Sequence, residues 1–332
     1  MSLRLLQIEL ADRTRAVAAL DESGRALRLE GCISTYELSC EALARDVSLE
    51  ETARGRMTAE TVNIGGAGAA ARLLPPIDHP DPAHLYLTGT GLTHLGSAES
   101  RDRMHTLAAA AGAQTDSMRM FLEGLQGGKP LPGEIGAQPE WFYKGDGSSL
   151  VPSGAPLAMP GFALDAGEEP EIAGVYLIDP RGSPVRLGFC LANEFSDHVM
   201  ERHNYLWLAH SKLRPAALGP ELRLGDLPAE VRGTSRLYRD GSLLWEQPFL
   251  TGEVNMSHTI ANLEYHHFKY PGFRRPGDVH VHFFGTATLS FAEEVRCEPG
   301  DLFDISADAF VLPLRNRLAR GGAADFGPVR AL

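Results

Sequence analysis

The sequence predicts an α+β protein, with a small N-terminal α/β region over residues 1–75 and a β-rich domain over residues 76–332. Three observations lead there. A chain of 332 residues has room for one large domain or two smaller ones. Its 35 glycines and 22 prolines cut the sequence into short apolar runs, which suits strands and turns better than long helices. Helical patterning is confined to a stretch before Pro75 and another from about Ser97 to Leu125; from Phe142 onward, short apolar runs alternate with turn signals.

The elements come in this order. RLLQIEL and RAVAALDESGRALRLEG read as strands, with DESG as a hairpin turn. STYELSCEALARDVSLEETARGRM reads as one helical stretch that Ser34 caps. VNIGGAGAAARLLPPIDHPDP is a Gly- and Pro-rich crossing, and the domain boundary is placed in it, near Pro75. Within that crossing, GGAGAAAR lacks the Lys-Ser/Thr of a phosphate-binding loop and reads as a linker.

Composition narrows the partners. A net charge of -12 argues against a nucleic-acid or anionic-membrane surface, while leaving room for a small acidic substrate met by local basic residues. The four cysteines show neither CxxC spacing nor a disulfide framework. MSLRLLQIELADRTR carries charges where a signal peptide needs an apolar core, and no apolar run is long enough to span a bilayer, so a cytoplasmic protein is expected.

The chemistry begins at EEPEIAGVYLID, Glu168 to Asp179. Alternate residues of a strand share a face and lie about 6.6 Å apart along it, so Glu169 and Glu171 can converge on one ion. RLGFCLANEFSDH adds Glu194 just past an apolar run. Three carboxylates without a cysteine suit a hard cation, Mg²⁺ or Mn²⁺. A solvated acidic loop is the plain alternative for EEPE taken by itself.

The surrounding motifs, in order, resemble the fumarylacetoacetate hydrolase superfamily over roughly residues 70 to 320. They are LLPP from Leu73 to Pro76, FYKGDGSSL with Lys144, the E-x-E-I pair Glu169 and Glu171, and Asn193-Glu194. Lys212 and Gly219-Pro220 come next, then Gly277-Asp278 leading to Gly285-Thr286, and finally Gly300-Asp301 with Arg315-Asn316. The resemblance implies a rolled mixed sheet for the second domain, a magnesium or manganese site on Glu169, Glu171 and Glu194, a small 2-keto acid substrate and a homodimer. His266 to Tyr270 is the expected contact region. Two departures stand out: the third ligand of the family is usually Asp, and GLTHLGSAES replaces the N-Y-x-x-H-x-x-E stretch.

In such a site the cation stabilises the enolate formed when a 2-keto acid loses its C3 proton. Dehydration of a 2-keto-3-deoxy sugar acid, a lyase reaction of sugar-acid catabolism, is one exit. Hydrolytic C–C cleavage of an acylpyruvate to pyruvate is the other. Thr93, His94 and Ser97 resemble the T-Y-x-x-S pattern of the sugar-acid dehydratases, and that favours dehydration of a pentonate-like acid. Lys144 and Lys212 are candidates for the base and for pairing the substrate carboxylate; Thr286, Thr93 and Ser97 are further substrate contacts. His94 with Glu99 would be the water-activating pair of a hydrolase. His198, four residues beyond Glu194, is expected on the same side of a helix. A non-catalytic sugar-acid binding protein is the third possibility.

Two other constellations carry less. HVHFF places His280 and His282 on one strand face, but the Glu required by a small-barrel dioxygenase motif is missing. There is no G-x-S-x-G for a nucleophilic serine.

Overall fold

The computed structural model describes residues 2–21, 23–64, 71–95, 116–323 and 326–332. The first strands are those expected: β1 (Arg4–Leu10), β2 (Arg15–Leu20) and β3 (Ala26–Leu29). Asp21 fixes the turn before β3, its Oδ1 accepting from the backbone N–H of Ser23 and Arg25, both at 2.9 Å. Helix α1 (Thr35–Arg45) starts on Ser34, whose hydroxyl accepts from Glu37 N–H at 3.1 Å. The single helical stretch expected here is in fact two. Asp46 turns left-handed at φ 54 and ends α1, and a second cap, Ser48, starts α2 (Leu49–Arg54).

The chain continues through β4 (Met57–Val62), β5 (Ala71–Leu73), β6 (Leu85–Gly89) and helix α3 (Asp116–Gly127). Then come β7 (Phe142–Asp146), β8 (Leu150–Pro152), β9 (Leu157–Met159), β10 (Pro170–Ile178) and β11 (Pro184–Asn193). Two short helices, α4 (His198–His203) and α5 (Leu208–Lys212), precede β12 (Ala216–Leu218), β13 (Glu221–Arg223), β14 (Val231–Arg239) and β15 (Ser242–Thr251). Helix α6 (Ile260–Phe268) leads to β16 (Val279–Phe283), β17 (Leu302–Ala307) and β18 (Leu314–Arg320).

The protein is mixed α/β and rich in sheet. The larger sheet has 13 strands, with the path β4-β3-β2-β1-β13-β11-β10-β16-β6-β7; the smaller has the order β15-β14-β17-β18-β9. The strands on the two sides of Pro75 share the large sheet, because β1 pairs antiparallel with β13. On the other side of β13, Gly188 of β11 permits a close approach: a Cβ there would lie 2.2 Å from the Arg223 carbonyl oxygen.

Strand alternation sorts β10, β11 and β16 between two cores. Ala173, Val175, Leu177, Cys190, Ala192, Val279 and Val281 pack with Leu5, Val17 and Leu38 on one face. Ile172, Phe189 and Leu191 pack on the other face against Phe249, Phe303 and Ile305 of the smaller sheet. Each such side chain contributes about 1.5–3 kcal/mol by leaving water, so both faces of β10 and β11 are strongly anchored.

His280 and His282 share a face of β16, as the alternation in HVHFF predicts, and it is the face under α6. His267 of α6 stacks on His282 at 4.5 Å, and His280 stacks on Tyr86 at 4.9 Å. Trp141 Nε1–H donates to His267 Nδ1 at 3.2 Å, so His267 carries its proton on Nε2 and donates it to His280 Nδ1 at 3.0 Å. His267 is thus buried within the chain, and Tyr270 is an exposed member of the segment expected at a dimer contact. Burial lowers the pKa of His280 and His282 to about 3 and that of His258 to about 4. Rings that fold neutral stabilise fully above their unfolded pKa of about 6.5, and that stability is lost as the pH falls towards the folded values. The urea midpoint is therefore expected to drop between pH 6.5 and 4.5, with a shallower drop in His282→Gln; equal pH slopes for the two proteins would contradict this account.

Candidate metal centre

Strands β10 and β11 run antiparallel, with Glu171 opposite Ala192 and Pro170 opposite Asn193. The ladder extends one bond further, Glu194 N–H donating to Glu169 O at 3.0 Å. Alternation carries Glu171 on from Ala173 and Val175, and Glu194 on from Cys190 and Ala192, so the carboxylates arise where the first core ends. One oxygen each from Glu169, Glu171 and Glu194 lies within 4.8 Å of the others, and all three residues are buried. Glu194, one methylene longer than the usual Asp, still reaches this meeting point.

Two ammonium groups offset part of the cluster's charge. Lys212 Nζ sits 2.6 Å from Glu169 Oε1, 2.6 Å from Glu194 Oε2 and 3.2 Å from Ser196 Oγ. Lys144 Nζ pairs with Glu194 Oε1 at 2.7 Å and donates to the carbonyls of Phe195 at 2.6 Å and Lys212 at 3.0 Å. Each ammonium thereby spends all three of its protons on protein acceptors. Gly285 N–H donates to Glu171 Oε2 at 2.7 Å, and His198 Nε2 lies 3.0 Å from Glu169 Oε1.

The electrostatics are set by burial and neighbours. Burial, then the charges of Glu194 and Glu169, push Glu171 well above the usual carboxylate range. Burial also raises Glu169, but Lys212 and His198 outweigh it and hold that carboxyl well below its ordinary value. Glu194 is raised by burial and Glu169 against the pull of Lys144. Burial lowers Lys144; it acts the same way on Lys212, where Glu169 and Glu194 override it and raise the pKa well above normal.

The donor set fits a hard divalent cation. It is oxygen-only, three carboxylates converge, and Glu169 and Glu171 are each anchored through one named oxygen, Oε1 and Oε2. Gly285, at φ +92, makes the last contact possible; a Cβ there would lie 2.5 Å from Thr93 Oγ1 and 2.8 Å from the Thr90 carbonyl.

The remaining expected residues fall in three groups. Thr93 and His94 lie beside Gly285, and Thr286 is partly buried one residue on. The Thr93 hydroxyl donates to the Phe284 carbonyl, so Thr93 Oγ1 accepts from His94 Nδ1–H at 3.0 Å, while His94 Nε2 accepts from Thr251 Oγ1 at 2.8 Å. Both ring nitrogens are thus engaged, and burial lowers the pKa of His94 to about 3. Ser97 and Glu99 lie outside the described residues. His198 departs from the expected geometry: residues 194–197 are not helical, Asp197 caps α4, and His198 is its first residue. It therefore reaches Glu169 and not a position one turn from Glu194.

Sequence reasoning missed Asp165, Ser196 and the Gly285 N–H. Ser196 shares the two-residue spacing with Glu194 and was open to detection on that basis. Asp165 lies in irregular chain, where no period points to it. A cleft of about 640 Å³ lined by Arg25, Asn63, Leu73, Leu312 and Arg315, among others, lies elsewhere and presents no carboxylate, histidine or cysteine among the described residues.

No protein-family model matches this chain, and no curated protein sequence matches it. Solved structures do match. A 2-keto-3-deoxy-D-arabinonate dehydratase complexed with magnesium and 2,5-dioxopentanoate superposes with a TM-score of 0.67 at 17% identity, over 96% of this chain and 99% of the other. A 5-carboxymethyl-2-hydroxymuconate delta-isomerase from Mycobacterium smegmatis gives 0.56 at 18% identity, with the same coverage of 96% and 99%. A 2-hydroxyhepta-2,4-diene-1,7-dioate isomerase from Mycobacterium marinum gives 0.57 at 16% identity, again over 96% and 99%. The chain shares the fold of these solved structures.

Removing Lys144 would leave Glu194 buried with one cation fewer. Lys144→Met is expected to destabilise the protein by about 3–5 kcal/mol, read from urea unfolding. A change below about 1 kcal/mol would show that Lys144 is not needed to offset the cluster's charge.

Proposed function

We propose that this protein is a divalent-metal-dependent lyase that removes water from a pentonate-like 2-keto-3-deoxy sugar acid, with Mg²⁺ or Mn²⁺ held by Glu169, Glu171 and Glu194. The observation that carries the reading is the buried, oxygen-only triad flanked by two lysines, on a fold shared over 96% of the chain with a dehydratase solved with magnesium and a 2-keto acid. The cation, once bound, supplies Lewis acidity to the oxygens of a 2-keto acid, which makes the C3 proton removable.

The chain's own residues supply the rest. Lys144, whose pKa burial lowers, is assigned to take that proton in its neutral amine form, and Lys212, kept as an ammonium by Glu169 and Glu194, to pair the substrate carboxylate. To reach a substrate, Lys212 must release one of Glu169, Glu194 or Ser196. Thr286, beside Gly285, is the hydroxyl assigned to the substrate side, while Thr93, which donates to the Phe284 carbonyl and accepts from His94, braces Gly285. The engagement of both His94 nitrogens supports dehydration over hydrolysis, because a water-activating histidine needs a nitrogen free for water.

Incubation with 2-keto-3-deoxypentonate, and separately with an acylpyruvate, with and without Mg²⁺, is followed by proton NMR. Metal-dependent formation of 2,5-dioxopentanoate from the first is expected. Pyruvate release from the second would replace dehydration with C–C hydrolysis, and silence from both would favour a binding protein. Glu171→Gln is expected to lower metal-dependent turnover at least 100-fold with circular dichroism unchanged, on the scale of a lost electrostatic contact in catalysis. Undiminished turnover would sink the ligand assignment.

A further inference from the structure

The three ligands are not held alike. Glu171 belongs to β10 and is fixed by Gly285 N–H, while Glu194 is clasped by Lys144, Lys212 and Ser196. Glu169 precedes the strand, and its Oε1 depends on Lys212 at 2.6 Å and His198 Nε2 at 3.0 Å. If Lys212 turns to the substrate, His198 is the donor that stays.

We propose that Asp165 and His198 form a positioning pair for Glu169. The imidazole holds Oε1 and so aims the carboxylate at the cation, while Asp165 holds the imidazole from its far side. The assignment rests on reading Glu169, Glu171 and Glu194 as a metal centre. Asp165 Oδ2 lies 3.6 Å from His198 Nδ1, and both atoms are buried without a hydrogen bond to any other described residue. A small rotation closes that gap to a hydrogen bond.

The surroundings are built to hold this ring. Phe291 stacks on it at 5.2 Å and 26°. A Cβ on Gly167 would lie 2.5 Å from His198 Nδ1, so glycine is what leaves space for the imidazole. Gly167 and Ser196 exchange backbone hydrogen bonds of 3.0 and 3.1 Å, tying the Asp165–Glu169 segment to the one that carries His198. Asp197 completes the frame: its Oδ1 caps α4 at Met200 N–H, 3.0 Å, and its Oδ2 accepts from Leu164 N–H at 2.9 Å and from Arg214 at 2.8 Å. The residues on either side of the Asp165–His198 contact are therefore fixed by one carboxylate. Hydrogen-bond partners of metal ligands orient them, and their loss typically costs 10- to 100-fold in metal affinity.

The test is Mn²⁺ binding by calorimetry on the full chain, with melting temperature measured in EDTA as the structural control. His198→Leu is expected to weaken Mn²⁺ binding about 10- to 100-fold. His198→Gln, which keeps one N–H for Glu169, should recover part of that loss, and Asp165→Asn should weaken binding by less than about tenfold. Asp165→Asn keeps its shape and carries the test if His198→Leu fails to fold. Wild-type affinity in His198→Gln and Asp165→Asn alike, or in a folded His198→Leu, overturns the positioning role while leaving the metal centre intact. A wild-type protein that binds no Mn²⁺ overturns the metal centre and this role together.

Discussion

The site depends on keeping three carboxylates out of water at the end of two core strands. Burying even one unpaired carboxylate costs several kcal/mol, and three within 4.8 Å add mutual repulsion to that cost. The chain meets it with Lys144 and Lys212, each making three bonds to acceptors, and with a backbone N–H on Glu171. The polarisation that results is uneven. Glu169 is kept ionised by Lys212 and His198, whereas Glu171, held by a neutral donor, is the carboxyl most inclined to carry a proton when no stronger charge compensates it. A dication suits such a cluster because it supplies the positive charge that Glu171 lacks.

The architecture makes that arrangement rigid. β10 and β11 lie within the large sheet and bury both faces, one against the helix-covered core and one against the smaller sheet. Their apolar alternation runs up to Ala173 and Ala192 and then continues as Glu171 and Glu194 without a change of face. The carboxylates are thus positioned by the same pleat that packs the valines, and a one-residue slip of register would move them to the opposite side of the sheet. The seam with β13, which relies on Gly188, fixes the outer side of β11 and extends the sheet into the N-terminal strands.

Much of this was legible in the sequence, for identifiable reasons. The Glu169–Glu171 spacing is a period-two signal within a strand, and Ser34 is a local cap, so each is decided within a few residues. The partners of those groups were not legible. Asp165 reaches His198 through a bridge between segments about 30 residues apart, and Gly285 contributes an N–H, which leaves no mark in side-chain chemistry. The break at Asp46 is a local signal of another kind: aspartate tolerates the left-handed region, and Ser48 three residues before Glu51 caps a second helix. His198 lies beside Glu169, but not by the helical spacing expected from Glu194, because residues 194–197 are not helical and Asp197 caps α4.

The stretch GLTH shows how one segment can brace a buried carboxylate at a distance. In the hydrolase pattern a histidine in this region faces water. Here the hydrogen-bond directions are fixed by what each group is able to donate: Thr251 to His94, His94 to Thr93, and Thr93 to the Phe284 carbonyl. That chain ends one residue before Gly285, whose N–H binds Glu171, and Thr93 Oγ1 occupies the space that any side chain at 285 would need. In the proposed reading His94 bears on the chemistry through the backbone that steadies the Glu171 carboxylate, and not through a proton of its own. A cage of Glu169, Glu171 and Glu194 around a cation would serve dehydration and hydrolysis alike; what separates them is the group presented to the substrate. A histidine committed to bracing that cage withdraws from the water side, and the geometry of Thr93 and His94 supports the dehydratase reading on those physical grounds.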